Sequence, residues 1–160
     1  MGKTKSRNRA EPLSCRDDLL GSLEHAWQML SVGAENRRSP FHLATVATVG
    51  VGGRATARIV VLRDCDRSER WLRFHTDRRS PKFEQLKSNP EAEMLFYDEY
   101  EKIQLRLAVR IEALGTEESD AIWESTPDYS RECYWVVQAP GSEVDAPHSA
   151  QFDADVAGGG

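Results

Sequence analysis

The stretch "KIQLRLAVRIEAL", residues 102–114, restricts this chain more than any other. Ile103, Leu105, Leu107, Val109 and Ile111 alternate with Gln104, Arg106, Ala108 and Arg110. Successive side chains of a strand point to opposite faces, so this alternation gathers the aliphatic groups on one face and the polar ones on the other. A face of that kind has to be buried against other elements, while its reverse can meet water, which suits an antiparallel sheet. Further runs read as strands: "FHLATVATV" (41–49), "RATARIVVLR" (54–63), "WLRFHT" (71–76) and "AEMLFYD" (92–98). Short polar turns separate them. Five or six mostly antiparallel strands joined in this way predict a barrel or a sandwich.

Two glycine and charge signals need placing within that frame. "GVGG" (50–53) has the wrong spacing for a dinucleotide-binding GxGxxG word, and a strand follows it where a helix is required. It reads as a hairpin turn. Helical signals lie outside the strands. "SCRDDLLGSLEHAWQMLSV" (14–32) predicts an amphipathic helix with Ser14 as N-cap, Asp17 and Asp18 in the first turn, and Leu20, Leu23, Trp27 and Leu30 on one face. "TEESDAIWEST" and "PDYSRECYWVVQ" read as two late helices, with Tyr134 and Trp135 assigned to packing rather than to stacking on a ligand. The expected organisation is a disordered basic leader (1–13), one domain (14–140) and a loose tail (141–160).

Composition narrows the function classes. A net charge of −5 argues against nucleic acid as the main partner. No apolar run approaches the roughly 20 residues that a membrane span needs. The opening "MGKTKSRNRAEP" lacks the apolar stretch of a secretory signal. Cys15, Cys65 and Cys133 have no CxxC spacing, and His25, His42, His75 and His148 form no HExxH pair. Neither a disulfide framework nor a metal site is suggested, and a cytoplasmic location is expected.

The candidate chemistry sits where "WLRFHT" runs into a helix. "FHTDRRSPK" (74–82) concentrates cations and hydroxyls at a strand-to-helix junction. Ser80 is placed to cap the helix, and Pro81 to take its first position, where a missing N–H costs nothing. Lys82 then falls in the first turn, where the helix dipole disfavours a cation unless an anion neutralises it. Two readings are open: a solvated basic turn, or an anion site. Arg58 and Arg63 flank the apolar core of "RIVVLR" and, five residues apart, point to opposite faces of a regular strand. Gln104 and Arg106 share the polar face of the alternating strand. Gln104 offers a donor and an acceptor to the edge of a heterocycle, or else simply faces solvent.

The order of these words resembles the pyridoxamine 5′-phosphate oxidase-like family of FMN-binding split β-barrels, nearest to its branch of uncharacterised FMN-binding-domain proteins. The likeness covers about residues 40–140 and rests on "RIVVLR", "FHTDRRSPK", "QLKSNPEAEMLFYD", "QLRLAVRIEAL" and "SRECYWVVQAPGS". It implies a mainly β, α+β fold: a split antiparallel β-barrel with an N-terminal helix and short peripheral helices. It also implies FMN as cofactor and a homodimer with clefts between subunits. Arg58, Ile59, Val60 and Val61 would run beside the flavin, with Arg58 near its phosphate. His75 and Thr76 match an aromatic-Thr pair that reaches the cofactor, and Ser80 and Lys82 match phosphate contacts. Gln104 matches a flavin contact expected from the partner subunit, and Gln138 a further contact near the last helix. Arg63 and Ser130 occupy positions that touch substrate in the oxidase.

Departures from the oxidase are equally specific. Ser80-Pro81-Lys82 stands where the oxidase has Ser-Arg-Lys, leaving Arg78 or Arg79 to supply the lost charge. Ser125-Thr126-Pro127 stands where it has Ser-Arg-Pro. The sequence also reaches Gly160 without the oxidase's closing strand and its Trp and Arg contacts. The expectation is an FMN-dependent oxidoreductase for a small molecule other than pyridoxamine phosphate. The alternatives are a non-catalytic flavin carrier or sensor, and a cofactor-free dimeric interaction module.

Overall fold

The computed structural model describes residues 17–143. The predicted leader (1–13) and residues 144–160 of the predicted tail lie outside that range. Five strands form one sheet: β1 (Leu43–Val49), β2 (Ala55–Asp66), β3 (Trp71–Phe74), β4 (Glu91–Asp98) and β5 (Ile103–Arg110). Their spatial order is β3-β2-β1-β4-β5, so the alternating strand is at one edge. The helices are α1 (Leu19–Glu35), α2 (Pro81–Ser88), α3 (Thr116–Ser125) and the single turn α4 (Asp128–Arg131).

The chain gathers into two compact units. The first contains residues 17–46, Ala57–His75 and Glu93–Ala108. Its core is the even-numbered row of the strands: Ala44, Val46, Val60, Leu62, Met94 and Phe96 are all buried. Phe41 lies against Phe96 with ring centroids 5.2 Å apart, and Leu30 of α1 is also buried. Each fully buried aliphatic or aromatic side chain of this kind contributes about 1.5–3 kcal/mol. Polar side chains shape the turns. Asp66 Oδ1 accepts from the Ser68 hydroxyl at 2.6 Å and the Glu69 N–H at 2.9 Å, closing the β2–β3 turn. The buried Asp98 accepts from the N–H groups of Tyr100 (2.7 Å) and Glu101 (3.0 Å), closing the β4–β5 turn.

α1 departs from its prediction at the start. Its N-cap is Asp18, whose carboxylate accepts from Leu20 N–H at 3.0 Å, and the helix begins at Leu19. Ser14 lies outside the described residues. Leu20 and Leu23 are 75% and 52% exposed, so only the C-terminal part of the expected apolar face is covered. That part docks closely. A β-carbon on Gly33 would lie 2.5 Å from the Phe41 carbonyl oxygen, and the His42 ring nitrogen Nδ1 is 2.8 Å from the Gly33 carbonyl oxygen.

The second unit contains Ala47–Thr56, Thr76–Ala92 and residues 109–143. "GVGG" is a hairpin turn, as predicted: Gly53 N–H donates to Gly50 O at 3.1 Å and Gly50 N–H to Arg54 O at 2.7 Å. Gly52 and Gly53 have φ of +75° and +79°, which a side chain would resist. Behind the turn, Thr48 and Thr56 both donate to Gln85 Oε1, at 2.7 and 3.0 Å, tying α2 to the hairpin. The last predicted helix is much shorter than expected. α4 has four residues, and a 3-10 turn over Glu132–Tyr134 follows it. Trp123 and Tyr134 pack edge to face, with centroids 5.6 Å apart, in line with the packing role assigned to Tyr134.

Gly33→Ala tests the α1 docking. Alanine favours an isolated helix by about 1 kcal/mol, yet here its methyl group meets backbone. The expected outcome is a net loss of roughly 1–3 kcal/mol in chemical denaturation, with exposed Ser31→Ala near neutral as the control.

Candidate functional site

Within the first unit, the β2 residues divide by parity. Val60 is 6% exposed and faces the core, so it can offer a ligand only its backbone. Ile59 is 61% exposed on the opposite face, and Val61 is half-buried. Arg58 shares the parity of Val60 and is partly buried at the end of the core row. Its guanidinium donates to Val46 O at 3.3 Å, and burial lowers its basicity. Arg63 departs from the regular-strand expectation. The β2–β3 ladder pairs Leu62 with Phe74 and Asp64 with Arg73, a register shift that leaves Arg63 as a bulge. A bulge breaks strict alternation, so the opposite-face argument does not reach Arg63.

The bulge matters for His75. This half-buried ring has its pKa pushed below the usual histidine value, first by burial and then by the positive charges of Arg63 and Arg73. Arg63 and His75 are therefore electrostatic neighbours, and His75 is neutral near pH 7. Arg73 itself pairs with Asp64 and lies over the Trp71 ring, 5.2 Å from its centroid. Gln104 is exposed on the edge strand, with Arg106 on the same face paired to Glu93 at 3.7 Å. The predicted alternation of β5 holds throughout: Ile103, Leu105, Leu107 and Val109 are half-buried, and their polar neighbours are exposed.

Thr76, Ser80, Lys82, Ser130 and Gln138 belong to the second unit. Ser80 and Pro81 occupy the predicted cap and first helical positions. The cap chemistry differs from the prediction. The Ser80 hydroxyl makes no side-chain cap bond and instead donates back to Asp77 O at 2.6 Å. Phe83 N–H reaches the Ser80 backbone oxygen at 3.0 Å. Ser80 is 2% exposed, and its Oγ lies 3.5 Å from the Thr76 hydroxyl. The two hydroxyls thus converge at the start of α2, with Lys82 half-buried in its first turn.

Asp77 and Arg79 form a pair that the sequence reading left unassigned. Arg79 Nη2 lies 2.7 Å from Asp77 Oδ2, and Arg79 N–H donates to Asp77 Oδ1 at 2.7 Å. Hydrogen bonding from Arg79 holds the Asp77 carboxyl below the usual carboxylate range, with Lys82 adding to the effect. The far side of the same guanidinium donates to Val137 O at 2.9 Å and Val136 O at 3.0 Å, with Tyr134 O at a longer 3.4 Å. Arg79 is thereby committed, which leaves Arg78, exposed in the turn, as the cation able to replace the lost family arginine. Thr126, in place of the other family arginine, turns its hydroxyl onto Ile122 O at 2.7 Å and ends α3.

Among the described residues, no helix is long and apolar enough to cross a membrane. A family model described as pyridoxamine 5′-phosphate oxidase, FMN-binding domain, matches residues 24–115. The pyridoxine/pyridoxamine 5′-phosphate oxidase of Burkholderia vietnamiensis is 43% identical over 91 residues, 57% of this chain and 42% of that enzyme. The enzyme of the same description from Thermosynechococcus vestitus is 36% identical over 113 residues, 71% of this chain and 51% of its own length. The chain thus spans about half the length of these curated relatives. Among solved structures, a pyridoxamine 5′-phosphate oxidase-related, FMN binding protein from Nostoc punctiforme superposes with a TM-score of 0.60 at 24% identity, covering 84% of this chain and 69% of that one. PhzG from Burkholderia lata, solved in complex with tetrahydrophenazine-1-carboxylic acid, gives 0.64 at 21%, covering 84% and 66%. At such identities these two likenesses establish the split-barrel fold, and it is the family model that decides membership: the chain belongs to the family of pyridoxamine 5′-phosphate oxidase FMN-binding domains, whose cofactor is FMN.

Proposed function

We propose that this protein is an FMN-dependent oxidoreductase, working as a homodimer on a small molecule other than pyridoxamine 5′-phosphate. The observation that carries the cofactor reading is the 76–82 turn, taken with family membership. It holds Arg78, Arg79 and Lys82 against a single carboxylate, Asp77, and Arg79 already neutralises that carboxylate. The Thr76 hydroxyl lies at the start of α2, where a helix favours an anion, and Lys82 stands half-buried in the first turn. This donor set fits a phosphate monoester such as that of FMN.

FMN, when bound, supplies two-electron or hydride transfer, and the protein supplies binding, orientation and electrostatics. Lys82 and Thr76 hold the phosphate in this reading, and Ser80 joins them only if its hydroxyl turns away from Asp77 O. Ile59 and Val61 offer side chains, and Val60 its backbone, along β2. Neutral His75 serves as a binding residue rather than a proton donor. Exposed Gln104, on an edge strand, suits the family's contact to a cofactor held by a second subunit. One feature supports a different substrate: Thr126 brings no charge where the oxidase has an arginine for the substrate phosphate.

Thermal denaturation across an FMN titration tests the cofactor reading. FMN at 100 times its dissociation constant is expected to stabilise the protein by about 2.7 kcal/mol. A flat melting temperature would leave the cofactor-free interaction module, whereas bound flavin that no electron donor reduces would leave a carrier or sensor. Lys82→Ala is expected to weaken FMN more than riboflavin, because it removes a phosphate contact and no ring contact. Equal losses in fluorescence titrations with both flavins would refute the assignment.

His75 gives a pH signature. Its folded pKa lies below the unfolded value of about 6.5, so the unfolded chain binds more protons in between. Its contribution is fully present above that unfolded value and is lost as pH falls toward the folded one. His75→Asn should flatten the decline in melting temperature between about pH 7.5 and pH 5.5. An unchanged slope would assign the decline to other groups.

A further inference from the structure

The geometry points to Arg79 as a positioning residue that sets where Gln138 stands relative to the phosphate-binding turn. The guanidinium is held on one side by Asp77, whose side chain is only 8% exposed. Its outer edge gathers backbone carbonyls from Val136 and Val137, immediately before Gln138, and more loosely from Tyr134. The planar five-donor fork of arginine can serve a carboxylate and a carbonyl cluster at once, and a lysine cannot. Residues 135–138 lie past the helical elements, since α4 ends at Arg131 and the 3-10 turn at Tyr134, and a β-bridge at Val136 is their regular structure. Beyond that point no helical ladder holds the chain.

The same segment also comes near the same turn at a second place. Gly141 has φ of +84°, and a β-carbon on it would lie 3.9 Å from Cγ and Cδ of Pro81. The chain therefore passes closely over the first residue of α2. The residue at which this sequence leaves the oxidase's Ser-Arg-Lys word is thus in contact range of the segment that Arg79 anchors. Arg79 is thus what joins the turn to residues 134–137, with Pro81 close to Gly141 beyond them. Arg79 acts through Gln138 and touches no phosphate.

The binding half of this inference rests on the FMN reading; the anchoring half does not. Arg79→Lys and Arg79→Ala in the full chain separate them. In the ligand-free protein, both variants should speed amide hydrogen exchange across residues 134–138 by about tenfold or more, leaving β1 and β2 protected. In flavin titrations, both should raise the dissociation constants for FMN and riboflavin by a similar factor, about five- to tenfold. Adding Gln138→Ala to Arg79→Ala should then cause little further loss, although Gln138→Ala alone weakens both flavins. Exchange that does not change overturns the anchor. A loss confined to FMN makes Arg79 a phosphate ligand, and fully additive losses with Gln138→Ala detach the two residues; either result overturns the positioning role. If the wild-type chain binds neither flavin, the FMN reading fails, and the exchange measurement alone decides the anchor.

Discussion

Everything in the first unit depends on one row of side chains meeting one surface. Ala44 and Val46 on β1, Val60 and Leu62 on β2, and Met94 and Phe96 on β4 are all buried on adjacent strands. A slip of one residue in any of these strands would expose its whole buried set, at about 1.5–3 kcal/mol for each large side chain. The register is therefore strongly specified. It also dictates what each strand can offer a ligand. On β2 the core claims Val60 and Leu62, leaving Ile59, Val61 and backbone atoms. Arg58 sits on the core side, which is why its guanidinium is partly buried and turned onto Val46 O.

The strands that carry that row were legible in the sequence, because strand runs are written in side-chain type and period. Strand runs, the glycine hairpin, the alternation of β5 and the start of α2 all carry signals of composition or spacing. Features that depend on tertiary geometry carried none. The helix at 14–32 looked continuous from Ser14, since both Ser14 and Asp18 are competent caps. Only the Asp18 carboxylate bond to Leu20 N–H identifies the one that starts the helix. "PDYSRECYWVVQ" looked helical because its propensities permit a helix. It stops after four residues of α4 and a 3-10 turn, and Arg79 takes up the carbonyls beyond. Propensity is a weak prior that tertiary context overrides.

The candidate site shows the same division. The positions of Ser80 and Pro81 at the start of α2 were legible because a capping hydroxyl followed by proline is a local pattern. The bulge at Arg63 was not, because an extra residue in a ladder shows only in the pairing of Leu62 and Asp64 with Phe74 and Arg73. It has a chemical consequence, since Arg63 and Arg73 help to keep His75 neutral. Backbone acceptors are invisible in a sequence for a simpler reason: every residue has a carbonyl. Arg79 could be read as one more exposed cation until its acceptors were known.

Charge accounting around the turn links these observations. An anion site with a carboxylate inside it would be self-defeating unless that carboxylate were neutralised. Asp77 is neutralised by a partner two residues away, through a planar fork whose remaining donors are spent on the backbone. The pairing thus removes a repulsive charge from the turn and anchors a segment that lacks a helix of its own. Pro81 gives up a cation, but it starts α2 without wasting an N–H, and residues around Gly141 pass over its ring. The cation given up at position 81 is not replaced by Arg79, whose donors are spent on Asp77 and on backbone carbonyls. In the proposed reading, a phosphate at this turn would meet fewer fixed cations than the oxidase word supplies and would depend more on the helix start, which is placed by the fold rather than by charge.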